Sequence, residues 1–179
     1  FSYGFNNRYS VYPDFDELRC MIWTAVANEC RGFTPFTYGA SRKTWSLRYG
    51  SDFIYESMAA LDAFLIQPGP GRPVDVDAPD DGVDVILHKL SDGRILIVAV
   101  NLLDHPVTAT VSCTDLATAT RLYVFRTDDT VHVVGGAVTL DLPAYGVHLL
   151  TSERMDTALE SLSHLRQRIA EAEAALERP

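Results

Sequence analysis

The seven residues Gln67 to Pro73, QPGPGRP, divide the sequence into two kinds of folding instruction. Three prolines and two glycines in so short a run stiffen the chain and interrupt both helix and ladder. Upstream, apolar residues recur at helical spacing. Phe15, Leu18, Met21, Ile22, Ala25 and Val26 form one stripe, and Ile54, Met58, Leu61 and Leu65 form another. Downstream the period becomes two. In PVTATVSC, Val107, Ala109 and Val111 point one way while Thr108, Thr110 and Ser112 point the other. A chain carrying both patterns must build a helical part and an antiparallel part, joined at this boundary.

Within the first part, Asp14 with Glu17 has the spacing of a capping box and predicts a helix over 14–30. The runs at 1–5 and 32–38 read as strands, 6–13 and 39–50 as polar loops, and 51–65 as a second helix. Strand, helix, strand, helix implies parallel strands with crossover helices. Beyond the boundary, strands are expected near 73–78, 83–91, 94–102, 106–113, 119–126, 130–134, 136–142 and 145–151. Turn signals such as Ser91-Asp92-Gly93 and Gly135-Gly136 separate them. Short strands with a turn every 8–12 residues point to a β-sandwich. From Ser152, a plausible N-cap, an amphipathic helix is expected to run to the end. Met155, Leu159, Leu162, Leu165, Ile169 and Leu176 form its stripe, with Ala158 and Ala172 in the seam. Those alanines make a shallow coiled coil, which favours packing on the same chain and leaves dimerisation as the alternative.

The 179 residues suffice for one large domain or two small ones. The net charge of −9 argues against nucleic acid or an anionic membrane as partner, but does not exclude a small basic pocket. Cys20, Cys30 and Cys113 have no CxxC spacing and read as small buried hydrophobes. The five histidines lack metal-ligand spacing. The glycine-rich run lacks the Lys-Ser or Lys-Thr of a phosphate loop, and there is no GxSxG elbow. Asp75, Asp77, Asp80, Asp81 and Asp84 read as a solvated acidic turn rather than a calcium loop. No cofactor and no metal are expected, and compartment is left open.

DFDELRCMIWTAVANECRGFTPFTYGA followed by SDFIYESMAALDAFL resembles the end of a glycoside-hydrolase (β/α)8 barrel. Glu17, Leu18, Arg19, Met21, Trp23, Gly32, Phe36 and Tyr38 stand at the places that carry the likeness. The stretches around Asp92-Gly93-Arg94, ILIVAVN (95–101) and LDLPAYGVHLL (140–150) are similar to the antiparallel β-sandwich appended to many such enzymes. The resemblance implies the last strands and helices of a barrel at 1–66, a linker at 67–73, the sandwich at 74–151 and, outside it, the helix at 152–179. With Phe1 opening on a strand-like run, the chain is expected to be the C-terminal part of a longer protein, needing the N-terminal barrel portion as partner. Deletion of 1–66 is expected to make the sandwich more soluble.

Glycosidase chemistry uses two carboxyl groups about 5 Å or 6.5–9.5 Å apart. Where the commonest barrel clan has a nucleophilic Glu at the end of strand seven, this chain has Gly4, Phe5 and Asn6. Asp14, Asp16, Glu17 and Asp52 read as helix-start residues. No catalytic residue is therefore assigned; the catalytic acids are expected in the missing barrel strands. The resemblance places loops 6–13 and 39–50 at the substrate end of the barrel. Asn6, Arg8, Tyr9, Tyr38, Arg42 and Trp45 there are the candidate substrate-binding residues, with rings to stack on pyranose faces and planar groups to hold hydroxyls. Trp23 reads as core. The function expected is a wall of the sugar site of a carbohydrate-active enzyme. The alternative is a non-catalytic carbohydrate-binding or assembly module that oligomerises through its C-terminal helix.

Overall fold

The computed structural model describes residues 12–30, 32, 44–67, 71–72, 74–155 and 158–176. Helices α1 (Phe15–Ala27), α2 (Trp45–Ala60) and α3 (Asp62–Leu65) come first. Strands β1 (Asp75–Asp77), β2 (Val83–Lys89), β3 (Ile95–Asn101), β4 (Val107–Ser112), β5 (Arg121–Val124), β6 (Thr130–Val134), β7 (Ala137–Leu142) and β8 (Val147–Thr151) follow, then α4 (Leu162–Leu176). The strands at 1–5 and, apart from Gly32, at 32–38 lie outside the described residues. Among the described residues every strand pairing is antiparallel, and no (β/α)8 barrel is present.

The strands join in one sheet of order β1-β4-β7-β6-β5-β8-β3-β2. The two sheets expected from the turn spacing are thus one continuous ply, curled until it is nearly closed like a barrel. Gly135 and Gly136, at φ 61° and 80°, explain the continuity. They make the two-residue turn that ties β6 to β7, a conformation open to glycine without strain. Inside the curl, Ile95, Ile97 and Ala99 of β3 face a core that includes Val107 and Val111 of β4 and Val138, Leu140 and Leu142 of β7.

Every residue of β3 is buried. Its other face, Leu96, Val98 and Val100, packs with Val147 and Leu149 of β8 against Trp23 and Val26 of α1, Leu61, and Phe64 of α3. A strand covered on both sides needs apolar residues at every position, which is why ILIVAV does not alternate. Asn101 ends that strand with no exposed surface. Its amide donates to the carbonyls of His105 at 2.8 Å and Pro143 at 2.8 Å, while its oxygen accepts from the Leu103 amide at 2.9 Å. It thereby ties the two loops at that end of the sheet.

α1 starts as expected. Asp14 accepts from the Glu17 amide at 2.8 Å, and Glu17 accepts from the Asp14 amide at 2.9 Å. α2 starts earlier than expected, at Trp45, because Thr44 caps it by accepting from the Leu47 amide. The 39–50 loop therefore gives up its last six residues to the helix. α4 starts later than Ser152. The Ser152 hydroxyl accepts from the Ile95 amide at 2.9 Å and so extends the β8 edge, whereas Ser161 is the cap, accepting from the His164 amide at 3.2 Å. Met155 and Leu159 reach the helix-side core from the irregular stretch before it. Leu165, fully buried, and Ile169 join Phe15, Leu18, Leu47, Phe53 and Ile54 in a third core, so the stripe packs on α1 and α2 of its own chain. Gly50 permits this layer, since a Cβ there would stand 2.7 Å from the Phe15 ring.

One buried arginine ties these layers together. Arg126 follows β5 in a left-handed conformation (φ 63°), with 1% of its side chain exposed. Its guanidinium donates to the Phe53 carbonyl at 2.8 Å and the Ser57 hydroxyl at 2.9 Å on α2, and to the Glu160 carbonyl at 2.6 Å. It meets Glu56 at 3.2 Å and lies 3.5 Å over the Phe53 ring. The Leu162 amide closes the loop on the Arg126 carbonyl at 3.0 Å.

The boundary segment is pinned where it is described. Gly71 donates to Glu29 at 2.9 Å, the Arg72 amide donates to the Leu87 carbonyl at 2.8 Å, and the Arg72 side chain pairs with Asp115 at 3.0 Å. Of the cysteines only Cys20 is buried; Cys30 is exposed, because it lies beyond the end of α1, and Cys113 is intermediate.

Candidate functional site

Five of the six candidate binding residues, Asn6, Arg8, Tyr9, Tyr38 and Arg42, lie outside the described residues. Trp45 occupies the first turn of α2, where Thr44 fixes the helix start. Residues four apart share a helix face, so Tyr49 falls beneath it. The two rings stack with centroids 5.2 Å apart and an interplanar angle of 18°. Arg48 is exposed, with its guanidinium carbon 5.4 Å from the Trp45 ring centre and 5.9 Å from that of Tyr49. The Trp45 indole N–H is buried, and no group among the described residues accepts a hydrogen bond from it.

α4 completes this arrangement. Arg168 lies over the Tyr49 ring at 4.2 Å and pairs with Glu160 at 3.2 Å. His164 contacts the same carboxylate at 3.0 Å, and Ser46, next to Trp45, donates to Glu173 at 3.0 Å. The result is a half-buried aromatic pair with a cation above Tyr49 and an exposed cation at its flank. Such a surface stacks flat ligands through ring faces and donates hydrogen bonds from guanidinium.

In the sequence Trp45 stands out as an aromatic of a polar loop, and Tyr49, one helical turn on, does not. The Trp-x-x-x-Tyr spacing behind Thr44 was the available signal. Arg168, far along the chain, left no local signal.

Several carboxylates of the described residues near the helices are engaged structurally. Asp14 and Glu17 cap α1, Asp16 pairs with Arg166 at 2.6 Å, and Glu29 holds Gly71. Among the described residues no group of His, Cys, Asp or Glu is arranged to hold a metal ion. No helix among them is long and apolar enough to cross a membrane.

No family model and no curated protein matches this sequence. Solved structures do. A family GH27 β-L-arabinopyranosidase from Geobacillus stearothermophilus is similar over 87% of this chain and 34% of its own, at 14% identity and TM-score 0.53. An α-galactosidase I from Mortierella vinacea matches over 83% of this chain and 38% of its own, at 16% identity and TM-score 0.46. AmyP in complex with maltotriose matches over 60% of this chain and 21% of its own, at 16% identity and TM-score 0.46. The chain thus spans at most about two fifths of the length of these structures. The likeness to the arabinopyranosidase is one of fold alone. At that level the neighbours of this chain are glycoside hydrolases.

Proposed function

We propose that this chain is the C-terminal portion of a carbohydrate-active enzyme, a glycoside hydrolase. In this reading residues 1–66 are the last strands and helices of a (β/α)8 barrel, the curled sheet is its appended β domain, and loops 6–13 and 39–44 with the Trp45 turn of α2 form one wall of the sugar site. Asn6, Arg8, Tyr9, Tyr38, Arg42 and Trp45 are its binding residues, and the catalytic carboxylates belong to the barrel strands that precede. The observation that carries the reading is the fold likeness over 87% of this chain to an enzyme of which it spans 34%. The Trp45–Tyr49 stack supports it, because pyranose C–H faces pack on such rings.

The test uses the complete protein. It should release the chromophore from an aryl glycoside, and Trp45→Ala should weaken binding of the matching oligosaccharide by about 1–3 kcal/mol, the worth of one buried aromatic face. The melting temperature should move little. A complete protein inert on a full panel of aryl glycosides would overturn the enzyme reading. A large loss of stability with unaltered binding would return Trp45 to the core.

A further inference from the structure

The sheet order ends in β1 on one side and β2 on the other, and an end strand leaves one side of its backbone outside the ladder. β1 is three residues long and carries Asp75 and Asp77, short and charged in the way that discourages a further strand. β2 is seven residues long, and Val83, Val85, Ile86 and Leu87 make it largely apolar. Alternate residues of an antiparallel strand turn their backbone groups to opposite sides. The Leu87 carbonyl turns away from β3, since it accepts from the Arg72 amide at 2.8 Å. Val83 and Val85 therefore turn their amides and carbonyls to that same outer side. Left bare, such an edge pairs with a strand of another molecule.

Gly71 and Arg72 cover it. Arg72 forms an antiparallel bridge with Leu87, and its guanidinium pairs with Asp115 at 3.0 Å. A Cβ at Gly71 would run into the Ile86 side chain, so this strap lies directly on β2. The end of α1 holds it there. The Cys30 amide donates to the Ala25 carbonyl at 2.8 Å and the Glu29 amide to the Val26 carbonyl at 2.9 Å, a double closure that favours glycine at its left-handed position. That position is Glu29, at φ 64°. A side chain is strained there and glycine is not. The carboxylate supplies what glycine lacks, accepting from the Gly71 amide at 2.9 Å. Beside it, Asn28 donates to Asp84 of β2 at 2.7 Å.

We propose that Gly71 and Arg72, clasped by the left-handed Glu29, are a guard over a self-association surface, whose partner is the β2 edge of a second copy of this chain. An edge meets its own copy in antiparallel pairing about a two-fold axis, so no other complementary strand is needed. The second strand cannot lie along β2 while Arg72 holds Leu87.

The experiment reads amide hydrogen exchange at Gly71, Arg72 and Val85, together with sedimentation, in the complete protein. In the parent the Gly71 and Arg72 amides should be protected, and the association state should not change with concentration. Glu29→Gly should speed exchange at Gly71 about tenfold, the loss of one hydrogen bond. It should also associate as its concentration rises, with exchange at Val85 slowing in the associated form. Glu29→Gln, whose amide oxygen still accepts, should match the parent. A Gly71 amide that exchanges freely in the parent would remove the clasp. If Glu29→Gly only raises the unfolding midpoint, Glu29 ends a helix and guards nothing. If that variant opens Gly71 without associating, or associates with no slowing at Val85, the β2 edge is not the surface kept shut.

Discussion

At the scale of single residues, burial decides what each charge does. Arg126 is held by carbonyls from two elements and a hydroxyl, so its removal strands acceptors as well as a carboxylate. Arg126→Met should cost about 3–5 kcal/mol in denaturant unfolding. A loss below about 1 kcal/mol would mean that water replaces the guanidinium without difficulty. Arg19 on α1 is the opposite case. It is 6% exposed, burial pulls its pKa down to about 10, and no carboxylate among the described residues comes within ion-pair distance. Two histidines give pH effects of opposite sign. Hydrogen bonds donated to the carboxylates of Asp104 and then Asp80 raise the pKa of His105 above its ordinary 6.5. Its contribution is complete below that value and disappears as pH rises through the raised one. Burial, followed by the charge of Arg19, lowers the pKa of His148 below 6.5. Stability is therefore lost as pH falls from 6.5 through the lowered value, where the unfolded chain takes up the proton first. Thermal melts from pH 5 to 8 should show His148→Gln flattening the acid side of the profile and His105→Gln the neutral side. Identical profiles for both variants and the parent would refute these assignments.

At the scale of elements, legibility followed locality. The eight strands are legible in the sequence within a few residues of their places, most as short runs with an apolar alternation and β3 as a continuous apolar run, each set off by Gly, Asp or Pro turn residues nearby. α1 was read from its capping box. The two helix starts that went astray turned on competing caps. Thr44 caps the Leu47 amide and starts α2 at Trp45, and Ser152 accepts from the Ile95 amide, leaving Ser161 to begin α4. The Thr44 cap is local and open to sequence, whereas the loss of Ser152 is not, because only the fold brings the Ile95 amide to its hydroxyl. The curl of the sheet was equally hidden, since a turn signal says that strands pair but not how the ply closes. Of the candidate site, Trp45 is legible as an aromatic in a basic stretch, and Arg168, which lies over Tyr49, is not, because α4 comes to Tyr49 only in the fold. The packing of α4 gives a prediction at this scale. Leu165 is fully buried against α1 and α2, so Leu165→Asp should cost about 3–5 kcal/mol by placing a lone charge in that core. Sedimentation should show an unchanged association state with an earlier unfolding midpoint. A folded variant of lower mass and normal stability would assign the stripe to contact between chains.

At the scale of the whole molecule, the helices and the sheet share a core, so removing the first part should lower solubility rather than raise it. Seen as sequence, the QPGPGRP run separates two domains, and the second half looks self-sufficient. In the fold, Leu96, Val98, Val100, Val147 and Leu149 turn toward Trp23, Val26, Leu61 and Phe64, so the outer face of the sheet is covered by the part before the boundary. Glu29 and Leu87 fasten the boundary itself at Gly71 and Arg72. A chain cut to residues 74–151 would expose that five-residue apolar face together with the β3 and β8 backbone beside it, a patch of the kind that drives association. It should bind hydrophobic dye and sediment as aggregates. The uncut chain should melt in one transition, with the near-ultraviolet signal of Trp23 and the far-ultraviolet signal of the sheet lost together. If the cut chain were instead monomeric and dye-free, the sheet's outer face would be stable in water, and α1 would be an ornament of the fold rather than half of its core.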